Sequence, residues 1–98
     1  MPKLSSNQKL TIPIVLREKL SIPLSGEIAF CCDTNRVLIL NSKNLDSSKK
    51  VISFRMLDQK GRFKFPKEVL EFLNANQNSI FTLYLCNGKL YLERHGQD

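Results

Sequence analysis

The sequence contains no hydrophobic run that could cross a bilayer. Its longest apolar stretches, such as residues 37–40, fall far short of the roughly 20 residues that a membrane-spanning helix requires. The charged N-terminal segment, residues 1–9, has no apolar run behind it, so the pattern of a secretory signal peptide is missing as well. These absences lead us to expect a cytoplasmic protein with no membrane partner.

Histidine and cysteine, the residues of most zinc sites, are scarce. The one histidine is His95, and the three cysteines are Cys31, Cys32 and Cys86, with no C-x-x-C spacing among them. A disulfide scaffold or a zinc site would need more ligands and better spacing. We interpret the cysteines as small apolar strand residues. We predict no catalytic residue, no metal, no cofactor and no enzymatic activity.

Acidic residues are too few to balance the basic ones. Fifteen Lys and Arg against nine Asp and Glu give a net charge of +6 and a pI near 9.5. The excess is spread along the chain, so a site for a polyanion would have to be built on the folded surface. With 42% hydrophobic residues and only 4 Gly and 4 Pro, the composition is that of one folded domain rather than a collagen-like or disordered chain.

An internal repeat organises the sequence. Residues 54–93 align with residues 1–40 at a constant offset of 53, without a gap. Identical residues at aligned positions are Leu4 and Leu57, Pro13 and Pro66, Glu18 and Glu71, and Leu20 and Leu73. Many other aligned positions share apolar character. Since so long a shared pattern is unlikely to arise by chance, we interpret the chain as two copies of one unit.

Each unit has the same predicted order of elements. An alternating strand leads to a proline, which suits the first turn of a helix. Short amphipathic helices are predicted over residues 13–20 and 66–73. A hairpin follows, with strands over 80–85 and 89–93 in the second copy. Asn87-Gly88 favours a tight turn there, whereas Asp33-Thr34-Asn35 in the first copy predicts a longer or looser one.

A unit of about 40 residues is too small to bury a stable core alone, so we expect the two copies to interleave their strands. The polar segment between them lacks periodicity and is predicted to be a linker. We therefore predict a single domain over residues 1–98, with repeat one at 1–41, a linker at 42–50 and repeat two at 51–98. Residues 3–6 and 51–57 are the predicted leading strands.

Asp58-Gln59-Lys60-Gly61-Arg62, followed three residues later by Pro66 and a short helix, resembles the AbrB/SpoVT/MraZ superfamily of swapped-hairpin DNA-binding proteins. Residues 12–22, IPIVLREKLSI, are similar to that family's IPxxLRxxLGI pattern, with Ser21 where the family usually has glycine. The resemblance implies a mostly β fold with two short helices (α+β). In it, two ββαββ repeats exchange hairpins and close a double-psi or swapped-hairpin barrel, here in one chain, as in the MraZ type.

The resemblance also implies a non-enzymatic, nucleoid-associated transcription regulator that binds double-stranded DNA and can form homo-oligomers. Arg55, Arg62, Lys9 and Arg17 match basic positions of the family. Independently, Arg62 and Lys64 alternate with Phe63 and Phe65, so burial of the two rings places both cations on the exposed face. Lys60 lies in the preceding turn. The predicted DNA-binding residues are Arg62, Arg55, Lys9, Lys60, Arg17 and Lys64.

Three other interpretations stay open. Asp58 and Arg62 could form an ion pair that only closes the turn. The chain could be the antitoxin of a toxin–antitoxin pair, although it shows no amphipathic tail after the last predicted strand to wrap a toxin. It could also be a protein–protein assembly module that has lost DNA binding.

The first copy has Ser5-Ser6-Asn7-Gln8-Lys9 in place of the Asp-x-x-Gly-Arg turn, which predicts an asymmetric DNA-facing surface.

Overall fold

The structure is a computed structural model and describes residues 9–76 and 79–95. Within these ranges the elements are β1 (Lys9–Thr11), α1 (Ile14–Lys19), β2 (Glu27–Asp33), β3 (Arg36–Asn41), a 3-10 turn (Ser42–Asn44), β4 (Val51–Met56), β5 (Arg62–Lys64), α2 (Lys67–Phe72), β6 (Phe81–Cys86) and β7 (Lys89–Arg94). This part of the chain is mostly β with two short helices, as predicted. No helix in it is long and apolar enough to span a membrane.

Both helices begin and end in the same way. Pro13 and Pro66 occupy the N-cap positions, where the missing N–H costs nothing. Beyond the last turn, Ser21 and Asn74 adopt left-handed φ angles of 55° and 54°, which stops each helix. These two residues are themselves 53 positions apart. The equivalence of the two copies thus extends to how their helices end.

Three of the five strand pairs join the two halves of the chain. The five-stranded antiparallel sheet has the order β4-β2-β3-β7-β6, and β1 pairs with β5 in a separate two-stranded ribbon. The inter-half pairs are β2 with β4, β3 with β7, and β1 with β5. Hairpin register also repeats at the offset of 53, since Phe30 pairs with Ile39 and Leu83 with Leu92. The expected interleaving of strands is confirmed.

The two hairpins have turns of equal length, so the prediction of a longer turn in the first copy is wrong. Asp33 pairs with Arg36 across a two-residue turn, just as Cys86 pairs with Lys89. Thr34 makes this possible by adopting a φ of 59°, which a β-branched residue rarely does. In the second copy, Asn87 and Gly88 both have positive φ, as their sequence favours.

The main core lies between one face of the large sheet and the β1–β5 ribbon. The rings of Phe30, Phe63, Phe65 and Phe81 form a chain with successive centroids 5.2, 5.8 and 4.7 Å apart. All four are buried, and the half-buried Phe72 packs against the core cluster to which they belong. Tilted ring contacts of this kind add to the stabilisation from burial. The expected burial of Phe63 and Phe65 is confirmed.

The described strands do not close a barrel. β4 and β6 lie at the two ends of the large sheet, and β1–β5 covers one of its faces without joining an edge. The predicted leading strand over residues 51–57 is present as β4. Its predicted counterpart over residues 3–6 lies outside the described residues. The sheet's other face carries a smaller buried cluster of Cys31, Leu38 and Tyr91.

Candidate nucleic-acid interface

The Asp58 carboxylate organises the turn between β4 and β5. Its Oδ1 accepts hydrogen bonds from the backbone N–H groups of Lys60 and Arg62, both at 2.9 Å. The backbone closes the same turn, with the Asp58 N–H donating to the Arg62 carbonyl at 2.8 Å. Gly61 adopts a φ of 76°, which explains why glycine occurs there. Aspartate at the start of such a turn is favoured because its side chain mimics a backbone acceptor.

The second carboxylate oxygen of Asp58 meets two of the predicted DNA-binding cations. Arg62 donates to Oδ2 through Nε at 2.9 Å, and Lys9 Nζ lies 3.7 Å from the same atom. The backbone N–H of Arg62 is the main cause that lowers the pKa of Asp58 to about 2, with further contributions from the Lys60 N–H and the Arg62 guanidinium. Asp58 is therefore ionised at neutral pH, and the predicted Asp58–Arg62 ion pair is present.

Arg17 reaches this turn from the first repeat. Its Nε donates to the Ile12 carbonyl at 3.1 Å, while the Ile12 N–H donates to the Gly61 carbonyl at 2.9 Å. The guanidinium lies directly over Gly61: a Cβ built on that residue would be 2.8 Å from Arg17 Nε. A second reason for glycine at position 61 is thus the close approach of Arg17.

Cations line the outward face of the β1–β5 pair. Lys9 lies directly opposite Lys64, and Thr11 lies opposite Arg62. Between them, Leu10 and Phe63 face inward and are buried. We call the four outward residues, Lys9, Thr11, Arg62 and Lys64, the cationic ribbon. Like charges directly opposite each other on two strands repel, and the Asp58 carboxylate offsets part of this repulsion at Lys9.

The structure brings together five of the six predicted residues. Arg62, Lys9 and Lys64 belong to the cationic ribbon, Lys60 is exposed at the adjoining turn, and Arg17 covers Gly61. Arg55 belongs to a different sheet. It lies on β4 in the large sheet, opposite Ile28, and donates through Nη1 to the Phe54 carbonyl at 2.8 Å and to the Ser53 hydroxyl at 3.3 Å.

Ammonium and guanidinium groups in such an arrangement can bind phosphates. Arg62 uses Nε for Asp58, and among the described residues no acceptor takes a hydrogen bond from its two terminal nitrogens. Those nitrogens are the pair that grips a phosphate or a guanine edge with two parallel hydrogen bonds. Within the described ranges, no group of three or more His, Cys, Asp or Glu side chains could hold a metal ion.

Sequence reasoning missed two features. The first is the pairing of Lys9 with Lys64. The repeat could have indicated it, because Leu10 and Phe63 are equivalent positions and antiparallel pairing about them places Lys9 opposite Lys64. The second is a polar cluster on the other face of the sheet. There Arg36 donates to the Tyr84 hydroxyl at 3.0 Å and stacks 3.6 Å from the Tyr91 ring centroid. Its members lie on three strands, so no local pattern indicates it.

Comparison with models of known protein families matches none of them, and comparison with curated proteins finds no similar sequence.

Proposed function

We propose that this chain is a DNA-binding transcription regulator of the AbrB/MraZ type, and that the cationic ribbon contacts the phosphates of double-stranded DNA. One observation carries the proposal. Lys9 and Lys64 lie opposite each other beside Arg62, on a two-stranded ribbon whose inner face is buried. Phosphate oxygens would relieve the repulsion between these cations, and release of counterions from DNA would favour the complex.

The dimensions of the ribbon suit a DNA groove. Its two strands lie about 5 Å apart, and each has three residues and so spans about 10 Å along the ribbon. The major groove of B-DNA is about 12 Å wide and admits a two-stranded ribbon. Lys60 extends the positive surface at the end where β5 begins. Asp58 holds Arg62 and Lys9 at one edge, so we assign it a positioning role rather than a contact with DNA.

The swapped-hairpin architecture is part of the same proposal. It is supported by β4, which opens the second half of the chain but pairs with β2 of the first half. It is supported as well by the two inter-repeat pairs that centre on equivalent positions, Leu10 with Phe63 and Leu38 with Tyr91. Such pairing requires an approximate two-fold axis between the copies, as hairpin exchange would produce.

A salt titration of DNA binding tests the proposal. Fluorescence anisotropy with a labelled duplex would give log affinity against log salt for the native protein, for Arg62→Ala and for Lys64→Ala. Each substitution should weaken binding and make the slope shallower by about one unit, because one phosphate contact is lost. Lys43→Ala is the matched control: it removes the same charge from the linker, where Lys43 is exposed, and its slope should equal the native one.

Thermal melts of the same variants separate a DNA contact from a structural role. If Arg62→Ala melts at a lower temperature yet binds DNA with native affinity and slope, Arg62 serves only the turn and the proposal fails. No binding by the native protein at low salt would also refute it. In either case the assembly-module interpretation gains weight, with Phe54 and Met56, 41% and 59% exposed on β4, as the surface to test next.

A further inference from the structure

The segment of residues 42–50, which we call the linker strap, lies against the face of the large sheet opposite the cationic ribbon. Leu45 packs half-buried on the cluster of Cys31, Leu38 and Tyr91. After it, Asp46 Oδ1 accepts hydrogen bonds from the N–H and hydroxyl of Ser48. The Lys50 carbonyl then accepts from the Cys32 N–H at 2.9 Å, which fastens the strap to β2.

Two adjoining cavities of about 320 and 340 Å³ lie between the linker strap and the sheet. They share Leu38, Lys49 and Lys89 as walls. The first continues over apolar side chains, among them Leu20 and Leu40. The second is polar, and its further lining residues include Ser48, Lys50 and Tyr91. The volume of each lies at the small end of the range for small-molecule sites.

Positive charge around the second cavity is only partly compensated. Asp46, on the wall of the first cavity, has its pKa lowered by hydrogen bonds from Ser48 and also by the nearby Lys49 ammonium. Lys49, Lys50 and Lys89 line the second cavity, and among the described residues none of their ammonium groups has a carboxylate within 4.0 Å. Asp33, the acid on its wall, pairs with Arg36 at 3.3 Å. Lys49 is half-buried and close enough to the buried Cys31 thiol to oppose the rise in the pKa of that thiol caused by burial.

Lys49 and Lys89 stand where the polar and apolar cavities meet. The position of Lys89 follows from strand register. Lys89 pairs with Cys86 directly after the tight turn at Asn87-Gly88, and it lies on the same face of the sheet as Tyr91. The position of Lys49 follows from the turn that begins at Asp46, because the Lys49 N–H donates to the Asp46 carbonyl at 3.2 Å. Backbone structure thus places both residues on the walls of the two cavities.

We propose that the two cavities together bind a small amphiphilic anion. Its carboxylate or phosphate head would lie among Lys49, Lys50 and Lys89, and its apolar body would lie along Leu38 and Leu40. Charge-assisted hydrogen bonds from the ammonium groups supply the preference for an anion. Burial of the apolar body supplies most of the remaining affinity. The site is independent of the cationic ribbon and does not rest on the proposed DNA binding.

Octanoate is the probe for this site, with octanol lacking the charge and acetate lacking the apolar body. In a ¹H–¹⁵N NMR titration of the full chain, octanoate should shift the amides of residues 38–40, 45–50 and 88–91. Octanol and acetate should bind at least about tenfold more weakly, since each loses one of the two contributions. Octyl phosphate distinguishes the heads: tighter binding than octanoate at the same amides would identify a phosphate ligand, and weaker binding a carboxylate.

Substitutions at the lysines complete the test. The double variant Lys49→Gln/Lys89→Gln should bind octanoate about tenfold more weakly or worse, with native affinity for octanol. Lys43→Gln, on the same linker strap but on the wall of neither cavity, should bind octanoate as the native chain does. The proposal is overturned if octanoate shifts none of these amides up to about 10 mM, if octanol binds equally well, or if Lys43→Gln weakens binding as much as the double variant. NMR spectra of each variant establish that it is folded.

Discussion

Replacing Gly61 with alanine measures how closely the two repeats approach at the candidate interface. The substitution has two costs. An alanine at a φ of 76° is strained by roughly 1–2 kcal/mol. Its Cβ would also lie 2.8 Å from Arg17 Nε, so the guanidinium must move and give up its hydrogen bond to the Ile12 carbonyl. We assign about 1 kcal/mol to that partly exposed bond. Gly61→Ala should therefore lower the free energy of unfolding by roughly 2–3 kcal/mol.

Gly88 is the matched control, because it has the same φ of 76° and a Cβ built on it meets nothing within 4 Å. Gly88→Ala should cost only the conformational strain, roughly 1–2 kcal/mol. Urea denaturation followed by circular dichroism would give both values. In a domain of this size, each kcal/mol corresponds to roughly 4–8 °C in melting temperature, so the expected difference is measurable by heating too.

A double-mutant cycle isolates the contribution of Arg17. In the Arg17→Ala background, Gly61→Ala should cost no more than Gly88→Ala, and the coupling energy between positions 17 and 61 should be about 1 kcal/mol. Equal costs for the two glycine substitutions in the native background would refute the reasoning. They would mean that Arg17 moves aside freely and contributes nothing to this turn.

Two further predictions concern the turn and the core. The pKa of Asp58 is lowered to about 2 in the folded chain, so the stability that this carboxylate contributes is present above its ordinary pKa near 3.8 and is lost as the pH falls towards 2. Melting temperatures of the native protein should therefore drop more steeply between pH 3.8 and pH 2 than those of Asp58→Asn. Parallel curves for the two proteins would contradict this assignment. In the core, Phe63→Ala should lower the free energy of unfolding by about 3–5 kcal/mol, whereas Phe54→Ala on the exposed face of β4 should lower it by less than about 1 kcal/mol. Similar values for the two variants in urea denaturation would place Phe63 outside the core.

Local patterns in the sequence were sufficient to predict much of the fold. The offset of 53 marked two equivalent units, and alternation correctly assigned Phe63 to the core and Lys64 to the surface. Prolines marked both helix starts. These features depend on periodicity and backbone conformation within a few residues, which is why one sequence suffices to see them. The one local error, the turn at Asp33-Thr34-Asn35, arose because Thr34 adopts a conformation that its residue type disfavours.

Only the tertiary structure determines which cationic side chains lie next to each other. Only the pairing of β1 with β5 places Lys9 opposite Lys64, and only packing between the repeats brings Arg17 over Gly61. Arg55 matched a basic position of the resembled family, yet the pairing of β4 with β2 holds it on another sheet. Lys49 and Lys50 belong to the predicted linker, and the strap folds back and places both beside a cavity. Such contacts join residues distant in sequence, and their register is selected by burial of the whole core rather than by any local preference.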